Sequence, residues 1–134
     1  VVSPVFEPGV VAACLAADRA VMPGCFTPTE IHTAWQAGAD MVKVFPATSL
    51  GPAFFTDVLA PMPRLRLMPT GGVTRENAGA WIRAGAAAIG VGSALVDKAA
   101  VREGRWADLT AAARQFVEAV AAARGQAAAK AVAG

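Results

Sequence analysis

The feature that most constrains this chain is a regular alternation of two kinds of segment. Short apolar runs occupy residues 1–4, 20–23, 41–46, 65–69 and 87–91. Each is followed by a turn signal and then by a stretch with helical periodicity, and the runs begin roughly 19 to 25 residues apart, the length of one strand plus one helix. Runs this short and apolar on both faces suit parallel strands covered by helices. The order predicts an α/β fold of about five βα units.

Helix boundaries are well marked. Thr27-Pro28-Thr29-Glu30 puts a capping hydroxyl before a first-turn proline, with Glu30 three residues on, as a capping box requires. Thr74-Arg75-Glu76-Asn77 starts another helix from a Thr cap. Gln36-Ala37-Gly38-Ala39-Asp40 and Arg83-Ala84-Gly85-Ala86-Ala87 are near-copies 47 positions apart, and each carries a glycine suited to the left-handed position that ends a helix. That internal repetition favours a βα barrel, although five units alone would also build an open doubly wound sheet. Residues 106–124 are the longest helix candidate, with Leu109, Ala113, Phe116, Val117 and Val120 on one face. The stretch 125–134 is mostly Ala and reads as a frayed, disordered tail, leaving 1–124 as the domain.

Composition narrows the function classes. The 134 residues are 55% hydrophobic and 16% charged, which excludes a disordered chain. Twelve basic against ten acidic residues give a net charge of +2 and no broad footprint for nucleic acid or an anionic membrane. No apolar stretch reaches the roughly 18 residues of a membrane span. Cys14, Cys25 and the single histidine, His32, make no metal-ligand pattern. The expectation is two reduced, buried thiols in a cytoplasmic protein. The chain opens on Val1 rather than Met, as a segment of a longer polypeptide would.

Lys43 stands inside the run Met41-Val42-Lys43-Val44-Phe45-Pro46. Strand alternation puts Lys43 and Phe45 on one face and Val42 and Val44 on the other. Burying an ammonium is costly unless it is paired or neutralised. One reading is a lysine at a strand end that reaches water. The other is a nucleophile: apolar surroundings disfavour the charged form of an amine, and a neutral amine can attack a ketone to form an imine.

Two glycine loops follow later runs. Pro69-Thr70-Gly71-Gly72-Val73-Thr74 and Ile89-Gly90-Val91-Gly92-Ser93 each lead from a strand towards a helix. Glycine allows backbone N–H groups to approach an anion closely, and a helix N-terminus favours one. In βα barrels phosphate commonly binds at the loops after the last two strands. Ordinary turn chemistry is the competing reading.

With Lys43 and both loops in view, the chain resembles the class I aldolases that cleave 2-keto-3-deoxy-6-phosphogluconate, a family with a related 4-hydroxy-2-oxoglutarate activity. The family's Lys-x-Phe-Pro-Ala motif stands here as Lys43-Val44-Phe45-Pro46-Ala47, and its Pro-Thr-Gly-Gly-Val motif as Pro69-Thr70-Gly71-Gly72-Val73. Its Pro-Gly strand end is similar to Met22-Pro23-Gly24, followed by Thr27-Pro28-Thr29-Glu30, and its C-terminal Gly-Ser to Gly92-Ser93. Ser3-Pro4 is similar to the family's fourth strand. The resemblance implies an eight-stranded (β/α) barrel, a homotrimer when full length, and no metal or cofactor. It implies Lys43 as the Schiff-base residue, Phe45, Thr70 and Pro23 as substrate contacts, and Gly71, Gly72, Gly92 and Ser93 as the phosphate cradle. The implied ligands are a phosphorylated keto sugar acid and pyruvate. Rival readings are a non-catalytic phosphosugar-binding half-barrel, a 2-keto-3-deoxy-6-phosphogalactonate aldolase, and another phosphate-binding barrel enzyme such as an isomerase or synthase.

One departure is large. The family's proton-transferring glutamate on the second strand, the arginine after it and the Gly-Ala-Gly-Thr stretch of the third have no counterpart in this sequence. The resemblance therefore covers the C-terminal five-eighths of a barrel, an incomplete one. None of the ten acids falls in an expected strand; Glu7 lies nearest a strand end and reads as a first-turn acid, and the others as caps or solvated faces. His32 reads as a surface or interface residue. An open barrel exposes two strand edges and an apolar interior, so the chain alone is expected to be poorly stable, to aggregate or to associate.

Overall fold

Strand β2 (Val42–Val44) lies at the centre of a three-stranded sheet, with β1 (Gly24–Cys25) on one side and β3 (Leu67–Pro69) on the other. Both pairings are parallel. The computed structural model describes the backbone of residues 1–132 and the side chains of residues 1–126. Two single parallel bridges, Val2 to Met22 and Thr70 to Gly90, extend the series at either end. All five apolar runs thus lie side by side in chain order, but only the inner three form named strands. The outer two have one neighbour each; the first carries Pro4, which lacks an N–H, and the last carries Gly90. The second run also shifts: its ladder forms at Gly24–Cys25, just past 20–23. Gly24 permits this, because a Cβ there would stand 2.1 Å from the carbonyl oxygen of Pro4.

The helices follow in the predicted alternation. Helix α1 (Pro8–Ala16) precedes β1, and α2 (Pro28–Gln36) and α3 (Gly51–Leu59) follow β1 and β2. Helix α4 (Arg75–Arg83) follows β3, and α5 (Lys98–Arg102) and α6 (Trp106–Val132) end the described chain. Thr27 and Thr74 close capping boxes with Glu30 and Asn77. Gly38 and Gly85 end α2 and α4 with φ of 95° and 99°, in the left-handed region the sequence required of them.

Helix α6 departs from expectation twice. Its helical backbone continues past Gly125 to Val132, where the sequence suggested a disordered tail; alanine's high helix propensity accounts for the extension. Residues 133–134 of that tail lie outside the described residues. Val117, assigned to the apolar face, is 68% exposed.

The main core fills the space between sheet and helices. Phe55 of α3 is fully buried and meets Trp81 of α4 edge-on at 5.2 Å between ring centroids. Ile31 and Ala34 from α2, Val42, Val44 and Leu67 from the sheet, and Ala123 from α6 complete this cluster. A smaller cluster of Val11, Cys14 and Val21 lies under α1. Both cysteines are buried and free. Among the described residues no helix is long and apolar enough to cross a membrane.

Candidate active site

Strand register sorts the side chains into two faces. Lys43 pairs with Gly24 on one side and Met68 on the other. Side chains two residues apart in a strand share a face. Val2, Met22, Gly24, Lys43, Met68, Thr70 and Gly90 therefore lie on one face, and Cys25, Val42, Val44, Leu67 and Pro69 on the other. The helices pack on the second set. Lys43 and Thr70, 27 positions apart in sequence, are thereby brought to the same side of the sheet.

Lys43 is half-buried, and no carboxylate pairs with it among the described residues. Its Nζ lies 4.7 Å from the centre of the Phe45 ring, a cation–π distance. Phe45 is 38% exposed and extends towards the first glycine loop: a Cβ on Gly71 would lie 3.5 Å from the ring. A cleft of about 380 Å³ opens beyond it, lined by Phe45, Thr70, the 71–74 loop, Gly90 and the 92–94 turn. Four of the proposed phosphate and two of the proposed substrate residues thus line one cleft; Lys43 is not in its lining but touches the Phe45 ring that is.

The first loop is tightly fixed. Gly71 and Gly72 have φ of 90° and 70°, a backbone that L side chains rarely adopt. A Cβ on Gly72 would also stand 1.8 Å from Cγ2 of Thr48. Asn77 anchors the loop: its Oδ1 accepts from the Thr74 N–H at 2.8 Å, and its Nδ2 donates to the Gly72 carbonyl at 2.9 Å. Neither Asn77 nor Thr48 belongs to the motifs that mark the site in the sequence. The Thr-x-x-Asn capping pattern was the available signal for Asn77; Thr48 carries none, because its contact arises from tertiary approach.

The second loop differs from expectation. No helix begins at Ser93. The chain turns instead, with the N–H groups of Leu95 and Val96 both donating to the Gly92 carbonyl, and α5 starts later under its Asp97 cap. Any anion here is therefore met by loop backbone and the Ser93 hydroxyl, without a following helix N-terminus. The N–H groups of Gly72, Val73, Gly92, Ser93 and Ala94 have no hydrogen-bond partner among the described residues, whereas the Thr70–Gly90 bridge turns the Gly71 N–H towards the Gly90 carbonyl. Such a set of free donors is the chemistry that anions seek. Thr70 adds a buried Oγ1 without a partner, and a Cβ on Gly90 would come within 2.3 Å of that oxygen.

Pro23 stands apart. It is fully buried and meets the lysine strand through its backbone, its carbonyl accepting from the Lys43 N–H at 2.9 Å. It does not line the cleft. A neighbouring hollow of about 370 Å³ includes Phe45, Cys25 and Glu30. Glu30 is the acidic residue of that lining, but its Oε2 already accepts from the N–H groups of Phe26 and Thr27, each at 2.8 Å. Those bonds, Thr27 first, hold its carboxyl below the ordinary carboxylate range. A carboxylate so engaged is a poor proton carrier. Burial, with the Glu30 charge second, pushes the Cys25 thiol up to about 11, so it is not a ready nucleophile. Glu7 is an exposed N-cap residue of α1 without a side-chain cap bond, and His32 is an exposed residue of α2 in a shallow hollow with Trp35 and Arg64.

Parallel strands in chain order, helices on one face and ligand-competent loops after successive strands define an α/β protein of the (β/α)-barrel superfamily. The KDPG and KHG aldolase family profile matches residues 1–112, and the chain belongs to that family. It is 38% identical over 96 residues to the 2-dehydro-3-deoxy-6-phosphogalactonate aldolase of Escherichia coli (strain K12), covering 71% of this chain and 47% of that protein. It is 35% identical over 121 residues to the 2-dehydro-3-deoxy-phosphogluconate aldolase of Treponema pallidum (strain Nichols), covering 90% and 58%. A solved structure of native KDPGal aligns with a TM-score of 0.84 at 34% identity, covering 92% of this chain and 59% of that one. The chain spans about half the length of the curated relatives it matches.

Proposed function

We propose that the chain is the lysine-bearing part of a class I aldolase, five of the eight units of a barrel, acting on a 6-phosphorylated 2-keto-3-deoxy sugar acid. The observation that carries the reading is the common sheet face of Lys43, Thr70 and Gly90, joined through the Phe45 ring to a cleft rich in free N–H donors. In this reading the Lys43 amine adds to the C2 ketone and loses water, leaving a protonated imine. Removal of the C4 hydroxyl proton breaks the C3–C4 bond, whose electron pair moves to C3 and delocalises onto the iminium nitrogen. Glyceraldehyde 3-phosphate leaves. Protonation at C3 and hydrolysis then return pyruvate and the free lysine. The two loops hold the phosphate through backbone N–H groups and Ser93, and Thr70 offers its unpartnered hydroxyl to the substrate.

The proton carrier is the part this sequence does not provide. None of the residues lining the cleft is acidic. General acid–base catalysis contributes about 10²–10⁴-fold. The 134-residue chain is accordingly proposed to form the imine but to turn over poorly, the full activity belonging to a protein that also carries the family's glutamate. The gluconate epimer, with 4-hydroxy-2-oxoglutarate as a further substrate, is the first substrate reading. The galactonate epimer is the second, favoured by the relative named for it in E. coli.

Borohydride reduction in the presence of pyruvate tests the chemistry. The expected result is a stable adduct mapped to Lys43 by peptide mass spectrometry and absent from Lys43→Arg. A protein that binds phosphosugar but gives no adduct would be the non-catalytic half-barrel instead. Cleavage assays on both epimers then assign the substrate.

A further inference from the structure

The side-chain amide of Asn77 is engaged at both ends, and the two ends are not interchangeable. Its Oδ1 accepts from the Thr74 N–H at 2.8 Å, while its Nδ2 donates to the Gly72 carbonyl at 2.9 Å. The first bond belongs to the capping box of α4. A carboxylate serves that purpose equally well in α2, where Glu30 stands at the matching position and its Oε2 accepts from the Phe26 and Thr27 N–H groups. The second bond needs a donor, which a carboxylate lacks. Starting a helix does not require it; holding the glycine loop does.

That bond fixes a peptide plane. In a trans peptide the C=O and the following N–H point in opposite directions. Holding the Gly72 carbonyl towards the first turn of α4 therefore turns the Val73 N–H away from α4. Gly72 and Val73 line the cleft, and Asn77 does not. Val73 is 3% exposed, and its N–H has no partner among the described residues. Thr48 steadies the same residue from another side. It sits in the short 3-10 turn Ala47–Ser49 after β2, which the Ala47 N–H ties to the Thr70 carbonyl at 2.9 Å. With Thr48 in the place of a Gly72 side chain, the loop has little room to turn that plane over.

We propose that Asn77 is a positioning residue: through the Gly72 carbonyl it aims the Val73 N–H at the phosphoryl group and so favours phosphorylated over unphosphorylated ligands. Asn77 itself touches no ligand. The inference rests on the reading of the cleft as a phosphate site, and it adds the residue that sets the direction of one donor there.

Calorimetry with glyceraldehyde 3-phosphate, beside borohydride trapping with pyruvate, tests it on Asn77→Ala and Asn77→Asp, each checked for fold by circular dichroism. Asn77→Ala removes both bonds. Asn77→Asp keeps an acceptor for the Thr74 N–H and loses only the donor to Gly72. Both are expected to bind the phosphoester about tenfold more weakly, as one misdirected hydrogen bond to a charged group would give, and to form the pyruvate adduct at Lys43 as wild type does. Melting should rank them differently, Asn77→Ala losing more than Asn77→Asp, because only the first loses the cap. The Asn77→Asp deficit, taken as a ratio to wild type, should persist from low to high salt, since it comes from the direction of a donor and not from the new charge. In wild type the Val73 amide resonance should move on titration with the phosphoester, and in Asn77→Ala it should not.

Variants that bind the phosphoester as wild type does overturn the proposal and leave the cleft its ligand. Adduct and phosphoester binding lost in equal proportion also overturn it, since a merely structural role gives that result, as does an Asn77→Asp deficit that salt abolishes. A wild type that binds no phosphoester overturns the phosphate reading itself, and the proposal with it.

Discussion

The two glycine loops that line the cleft look alike in sequence and are built differently. At 71–72 the protein itself demands glycine: both residues have positive φ, Thr48 occupies the space a Cβ would need, and Asn77 ties the loop to the first turn of α4. At Gly92 nothing lies within 4 Å of a would-be Cβ, φ is unremarkable, and no helix begins until Lys98. Glycine in the first loop answers to packing; glycine in the second has open space around it, and no packing demands it. The difference teaches that a Gly-rich strand-to-helix loop is not one signal, and that the two causes separate under substitution.

Gly72→Ala is the most disruptive test of the comparison. The left-handed backbone and the Thr48 contact together are expected to cost about 1–3 kcal/mol, read as a lowered denaturation midpoint. Thr48→Ser removes the offending Cγ2, so the double variant should recover part of the loss and keep the backbone penalty. No recovery would mean that Thr48 is not what excludes a side chain. Asn77→Ala comes next, at about 1 kcal/mol for the lost cap and loop bonds. Its effect should be flat with pH, since no member of that box titrates near neutrality.

How far the sequence disclosed this site depends on the range of the contacts involved. Thr27, Thr74, Gly38 and Gly85 could be placed because capping is a matter of three or four neighbouring residues. Lys43 and Phe45 could be put on one face because strand alternation is local too. Thr48 above Gly72, Thr70 against Gly90 and Pro23 beneath the lysine strand are products of register between strands, which no single run encodes. The resemblance implies Pro23 as a substrate contact; the structure shows it buried, with its carbonyl bonded to the lysine strand, a placement no local pattern discloses. The 1–4 and 87–91 runs have strand composition but one neighbour each, so the pattern that identified them could not show that they form single bridges.

The capping box of α2 provides a smaller contrast with that of α4. Glu30 replaces Asn77's neutral amide with a carboxyl that the Thr27 and Phe26 N–H groups hold below its ordinary value. A carboxyl depressed in the folded state stabilises the fold above its unfolded pKa, and that contribution disappears as pH falls through the folded value. Melting temperature should therefore drop on acidification below the ordinary glutamate range more in wild type than in Glu30→Gln. Because Glu30 is exposed, the difference is expected to be a few tenths of a kcal/mol. An identical acid profile in both proteins would remove the distinction between the charged and the neutral box.

Gly92→Ala should have the smallest effect on stability and divides the two loops most sharply. With open space around the new methyl and no positive φ to forbid it, the midpoint should stay within about 0.5 kcal/mol of wild type. The same methyl would project from the backbone of a loop whose N–H groups at 92, 93 and 94 lack partners. If those donors meet the phosphate, affinity for glyceraldehyde 3-phosphate by calorimetry should fall about tenfold, equivalent to about 1.4 kcal/mol. A Gly92→Ala protein as unstable as Gly72→Ala would show that packing governs both loops. One that is stable and binds the phosphoester as well as wild type would confine the anion to the first loop, where the glycines already have a structural reason to exist.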